Sequence, residues 1–189
     1  LVHLATGDEK RITLHPQGSS LSACVDADGI GFLSAGDDGR VVRFSGNDDI
    51  AVLAEHKGKW IDHVAASAAG SFRAYSVGRE VYIIGRDKPL PQPSTVGGMT
   101  FSPNGKRLAV GHYNGVSLYW TNAKESAPQT LVWKGSHLGV RWHRSGDYLM
   151  TSMQEPALHG RRMKDMGELR MAGYPAKVRS FEFSAQGKW

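Results

Sequence analysis

Between Met99 and Trp120, apolar and polar residues alternate in three short runs broken by two turns. Met99, Phe101, Leu108, Val110, Val116 and Leu118 fall at period-two spacing within their runs, which places them on one face of successive strands. In the first turn Pro103 presets φ and Gly105 can take φ > 0. Asn114-Gly115 is the dipeptide of a tight two-residue hairpin, because both positions tolerate left-handed geometry. The segment predicts an antiparallel meander.

The meander recurs. Gly29 (VDADG), Gly70 (ASAAG), Gly105 (SPNG), Gly146 (HRSG) and Gly187 (SAQG) follow the first strand of five units, at spacings of 41, 35, 41 and 41 residues. The turn after the second strand is Asp38-Gly39, then Gly78-Arg79, Asn114-Gly115 and Glu155-Pro156. The third strand reads RVVRF (40–44), EVYII (80–84) and VSLYW (116–120), and is irregular in the fourth unit at ALHGRRM (157–163). A period of about 40 residues with one meander per unit is the signature of a repeat array.

FSPNGKRLAV (101–110), AGDDGRVVRF (35–44) and SFEFSAQGKW (180–189) resemble the first three strands of WD40 repeats, and VHLATGDEKRITLHPQG (2–18) resembles the end of a preceding one. The resemblance implies an all-β propeller of four-stranded antiparallel blades. A partial blade at 1–18 supplies an outer strand, complete blades follow at about 19–59, 60–95, 96–136 and 137–176, and a partial blade occupies 177–189. A ring of about seven such blades needs roughly 290 residues. The chain is therefore expected to be part of a larger ring, its other blades cut away or supplied by another chain. The resemblance also implies a hydrogen-bonded network of His, Ser or Thr, Asp and Trp. In the first unit this falls on His15, Ser34 and Asp38, with Phe44 in the Trp position. The later units are less complete: His56 without Asp, Asn114 and Tyr119 without His, and His137, Thr151 and Glu155 without an aromatic. Antiparallel ladders and packing between sheets hold such a fold without these networks.

Charge and chemistry modify this picture little. The net charge is +5 with pI near 9.4, which mildly favours acidic partners. The single cysteine, Cys24, excludes an intrachain disulfide and fits a reducing compartment, so a cytoplasmic location is expected. No apolar run approaches the 18 residues of a membrane-spanning helix. G-x-S-x-G, H-E-x-x-H and the phosphate-binding P-loop are absent. Gly29-Ile30-Gly31-Phe32-Leu33-Ser34 approaches a dinucleotide fingerprint, but lies between two strands with no helix after it to receive a pyrophosphate. Neither an enzyme nor a cofactor is expected.

Among eight histidines, His56 and His63 are seven apart, wider than zinc-ligand pairs. Met150, Met153, His159, Met163, Met166 and Met171 offer ligands suited to Cu(I). Methionine also fills gaps in an irregular blade, and that reading is preferred, so no metal is expected. Arg161, Arg162, Lys164, Arg170, Lys177 and Arg179 form the densest basic region. Nucleic acid would need an extended basic face with stacking aromatics, and only Tyr174 is near, so nucleic acid ranks low.

In a propeller, the loop from one blade's outer strand to the next inner strand opens on a rim around the channel. In register these positions hold Leu21, Trp60 with Asp62 and His63, Gly97, Leu138-Gly139, and Lys177 with Arg179. The inner-strand column Ser22, His63, Gly98, Gly139, Ser180 is mostly small, as a narrow channel requires. Trp60, Asp62, His63, Lys177 and Arg179 are the candidates for contacting a protein or peptide partner, because aromatic and Arg residues anchor interfaces. The competing reading has Trp60 capping a blade and the rest solvated. The expected function is a non-catalytic scaffold. A propeller that binds a small ligand or metal, or is an enzyme, is the alternative.

Overall fold

The computed structural model describes residues 6–7, 9–45, 49–123 and 127–184, and none of these is helical. The first sheet runs β1 (Ser20–Val25), β2 (Phe32–Gly36), β3 (Arg40–Phe44), β4 (Ile50–Glu55) in chain order. The second does the same with β5 (His63–Ser67), β6 (Phe72–Val77), β7 (Glu80–Ile83) and β8 (Leu90–Pro91). β9 (Gly98–Phe101), β10 (Arg107–Trp120), β11 (Gln129–Trp142), β12 (Tyr148–Met153), β13 (Ala157–Arg162) and β14 (Gly167–Ala172) form one continuous ladder. All pairings are antiparallel.

Two elements of that ladder each do the work of two strands. β10 folds back at Asn114, whose φ of 68° is left-handed, and Thr121 N donates to Lys106 O at 3.0 Å to close the hairpin's far end. β11 pairs with β10 through Val132 and Leu131, then with β12 through Val140 and Trp142. Its two halves are the outer strand of one four-stranded blade and the inner strand of the next. A boundary at 136/137 therefore falls inside a strand. WKGSH (133–137) lacks a turn dipeptide, and Gly135 (φ 121°) bends the chain without ending the ladder. ALHGRRM, expected to be irregular, is instead a regular strand over Ala157–Arg162, paired on both sides. Residues 9–18 add no strand to any sheet, and residues 1–5 and 8 of the partial blade expected at 1–18 lie outside the described residues, as do 185–189, including Gly187.

The left-handed turn after each inner strand falls at Gly29, Gly105 and Gly146 (φ 74°, 67° and 79°). In the second unit the position belongs to Ser71 (φ 53°), not Gly70. ASAAGS offers two adjacent sites, and Gly70 is needed instead for space. A Cβ there would stand 2.4 Å from the Phe72 ring.

Alternation divides each strand between two neighbours. Leu33, Ala35 and Val41 of the first sheet share a core with Val64, Ala74, Tyr75 and Val81 of the second and Met99, Phe101 and Leu108 beyond it. A second core under the last two blades holds Val116, Leu131, Val140, Trp142 and Leu149, with Met163 and Met166 packed against it. The inner strands stand side by side: β1 by β5, β5 by β9, β9 by β11. At the closest approach, a Cβ on Gly98 would lie 2.1 Å from the carbonyl oxygen of Leu138, which is backbone and cannot rotate away. Gly98→Ala is expected to cost about 2 kcal/mol or more by overpacking, read as a lower urea midpoint at unchanged slope.

The opposite face of the first sheet has no sheet against it among the described residues. Two cross-strand rows, Ala23–Ser34–Val42–Val52 and Val25–Phe32–Phe44–Ile50, lie on that face. Ile12 and Leu14 line a groove of ≈ 390 Å³ with Ala23, Phe32 and Phe44, while Val25, Phe32, Ile50 and Val52 remain exposed.

Candidate functional site

Backbone hydrogen bonds gather the connecting loops at one end of the sheets. His56 N donates to Gly39 O (2.8 Å) and Ile61 N to Gly36 O (3.1 Å), tying the 56–61 loop to the turn between β2 and β3. Val96 N donates to Gly78 O, Gly97 N to Gly111 O, and Gln154 N to Ser136 O. Tyr113 N donates to Ser94 Oγ at 2.8 Å. This end is the rim.

Beneath it lies a histidine on each blade. His15 Nδ1 meets Asp38 Oδ1 at 2.9 Å and its Nε2 meets Ser34 Oγ at 2.8 Å, with Ser20 Oγ a further 2.8 Å from Ser34 Oγ. His15 lies in the chain segment before β1 and Asp38 in the β2–β3 turn, so the imidazole locks segment to turn. In the second blade His56 Nε2 meets Tyr75 OH at 3.0 Å and packs on Tyr82, aromatic partners taking the place of the missing Asp. The third blade uses a histidine from the strand rather than the loop. His112 Nδ1 donates to Tyr113 O, which leaves Nε2 to accept from Ser117 Oγ at 2.9 Å. In the fourth, His137 Nε2 donates to Trp133 O and Nδ1 accepts from Thr151 Oγ1 at 2.8 Å. The aromatic missing from that blade's own third strand comes from β11, where Trp133 stacks on His159 at 3.9 Å. These histidines are bound up in the scaffold. No group of three or more His, Cys, Asp or Glu residues suited to a metal occurs among the described residues. Of the methionines, Met150 and Met153 are buried, and Met163 and Met166 pack on the second core.

The rim candidates separate into two groups. Trp60 is 65% exposed. Ile61, beside it, is wholly buried and anchors the loop. Asp62 is half-buried. His63, also half-buried, donates from Nε2 to Val96 O at 3.2 Å; burial holds its pKa below the ordinary imidazole value despite Asp62. Lys177 is exposed, with Nζ 3.3 Å from Gln154 Oε1, and Arg179 is exposed. Among the described residues no hydrogen bond or ion pair joins Lys177 or Arg179 to the Trp60 group. Tyr113, half exposed beside Asn114, stands on the same rim. Tyr113 is not among the candidates read from the sequence, although an aromatic beside Asn-Gly was its signal.

At the opposite end, several arginines are paired with carboxylates. Asp26, with a fully buried side chain, binds Arg43 Nε (2.7 Å) and Arg73 Nε (2.5 Å), and Arg43 also reaches Asp28 (2.6 Å). Arg162 binds Asp165 (2.7 Å) and Arg161 binds Glu168 (2.7 Å), so the arginine pair of the basic region is engaged within the blade. Burial, and secondarily Asp26, push the Cys24 thiol up to about 11, which leaves little thiolate near neutral pH.

No family model matches the chain, and no curated protein sequence matches it. In structure it is similar to the β-propeller domain of Myceliophteria thermophila Cps50 (Swd1), with 17% identity and a TM-score of 0.76. The likeness covers 90% of this chain and 61% of that one, so the chain spans about three fifths of that propeller's length. Antiparallel four-stranded blades, inner strands side by side and this likeness together make the fold a β-propeller.

Proposed function

We propose that the chain is a non-catalytic scaffold that holds a protein or peptide partner on its rim, and that it forms a sector of a larger ring. The sector reading is supported by Val25, Phe32, Ile50 and Val52, apolar side chains left exposed on the face where every other blade meets a neighbour. The rim reading rests on Trp60. A tryptophan 65% exposed on a loop anchored by a wholly buried neighbour is a rigid, preorganised contact of the kind that dominates interface energetics. A cytoplasmic setting accords with the unpaired Cys24.

Trp120 supplies an internal control, because it is also exposed but lies at the opposite end, where Arg107 stacks on it. For a partner identified from cell extract and reconstituted with purified protein, Trp60→Ala is expected to weaken binding by about tenfold or more, and Trp120→Ala by far less. The reverse order would move the site to the other end.

A further inference from the structure

We infer that a single water molecule is bound inside the seam between the third and fourth blades, where it bridges Arg161 and His159. A cavity of ≈ 10 Å³ lies in that seam. Val116 and Leu131 of the third blade line it on one side, and Thr151, His159 and Arg161 of the fourth on the other. Room of that size admits one water and little else.

Two polar atoms of the side chains in its wall are unanswered. His159 Nε2 and Arg161 Nε are buried, and neither meets a hydrogen-bond partner among the described residues. The other atoms around them are already engaged. Arg161 Nη1 binds Glu168 and donates to Met166 O, and Nη2 donates to Val132 O, so Nε–H is the donor left over. His159 is 4% exposed and stacked on Trp133, so its ring does not reach bulk solvent. His137 stands edge-on to it, but its own nitrogens are taken by Trp133 O and Thr151 Oγ1. Leaving the N–H of a charged group and a ring nitrogen bare in an apolar seam costs more than immobilising one water that serves both.

The chemistry of the two atoms orients the water. Arg161 Nε–H can only donate, so the water accepts there. A pKa of about 4 leaves His159 neutral at pH 7, with one ring nitrogen free of a proton. The guanidinium in the same wall favours Nε2 as the bare nitrogen, which accepts a hydrogen from the water, and the ring proton is thereby assigned to Nδ1. Thr151 Oγ1, also in the wall, has a lone pair for the second hydrogen. About three partners is usual for a buried water. A metal cation is disfavoured by the neighbouring guanidinium, and a halide is larger than the cavity.

The test combines a crystal structure of the whole chain, at a resolution that shows ordered waters, with NMR in solution. Density for one water within hydrogen-bond reach of both Arg161 Nε and His159 Nε2 is expected, in crystals grown from chloride and from bromide alike. In solution the methyl groups of Val116 and Leu131 should cross-relax with a long-lived water, and the imidazole nitrogen shifts should place the His159 proton on Nδ1. His159→Phe should lose the water cross-peaks, with a thermal melt to establish that the variant folds; the wild-type measurements stand by themselves if it does not. A cavity without water density, a direct contact between the two side chains, or an anomalous bromide signal at the site overturns the inference. So does a proton on His159 Nε2, or cross-peaks that persist in folded His159→Phe.

Discussion

Asp26→Ala should cost about 3 kcal/mol of stability and lower the melting temperature by roughly 6–12 °C. The carboxylate is fully buried and receives Arg43 from β3 of the first sheet and Arg73 from β6 of the second, so one side chain fastens the seam between two blades. Arg73 engages it with both Nε and Nη2, and the backbone N–H of Ala27 donates to it as well. Truncation leaves the Arg73 guanidinium without a carboxylate partner, while Arg43 keeps only Asp28. The cost sits at the low end for a broken buried pair because both arginines are about a quarter exposed and reach water. Burial pushes the Asp26 pKa up, but the hydrogen bonds from Arg73, Arg43 and Ala27 outweigh it and hold the group below the ordinary carboxylate range. A depressed folded pKa contributes stability above the unfolded value, about 3.9, and loses it as pH falls through the folded one. The wild-type chain should therefore weaken further below about pH 4, and Asp26→Ala should flatten that limb. Urea titrations at a series of pH values read both effects. A change under about 0.5 kcal/mol would mean that apolar packing alone closes the seam.

This ion cluster also marks where sequence reading stops. Strands and turns were legible because period two and turn residues such as Asn114-Gly115 are local. The Asp26 contacts join residues 17 and 47 positions apart, and nothing in VDADG tells which arginines will arrive. The same limit applies to the histidines. His15, Ser34 and Asp38 could be named from the repeat pattern, because all three sit in the most regular unit. His112 could not, because it comes from the strand where the pattern puts a loop residue. Local chemistry misled at 129–142, where a bend without a turn dipeptide carries one blade into the next. It also misled at ASAAGS, where the left-handed residue is the serine. On the rim, Trp60 was readable as an aromatic in a loop. The half-burial of His63 was not, because it depends on Val96 from the following connection.

Acidification from about pH 7 to pH 4 should remove about 3 kcal/mol of stability through His159 before Asp26 begins to titrate. His159 is 4% exposed, stacks on Trp133 from β11, and has His137 edge-on at 6.0 Å. Its own strand adds Arg161, and the neighbouring β14 adds Arg170 opposite it and Glu168. Burial, then His137 and Arg161, drive its pKa from 6.5 down to about 4, with Glu168 opposing weakly. The unfolded chain takes up this proton at about pH 6.5 and the folded one only near pH 4, so the unfolded state binds more protons throughout that window. Stability must then rise with pH across it, and fall as pH drops. His137 and His63, both held low chiefly by burial, act in the same direction and steepen the loss. His159→Phe keeps a ring against Trp133 and removes the proton site, so its stability should vary much less with pH. The His159 ring-proton shift in NMR should stay fixed until about pH 5. A shift centred near pH 6.5, or an equally steep pH dependence in His159→Phe, would assign the acid sensitivity to other groups. The fourth blade, where this histidine pair lies under the β11 bend, is then expected to open first on acidification, and hydrogen exchange along β12 and β13 should show protection falling there before it falls in the first two sheets.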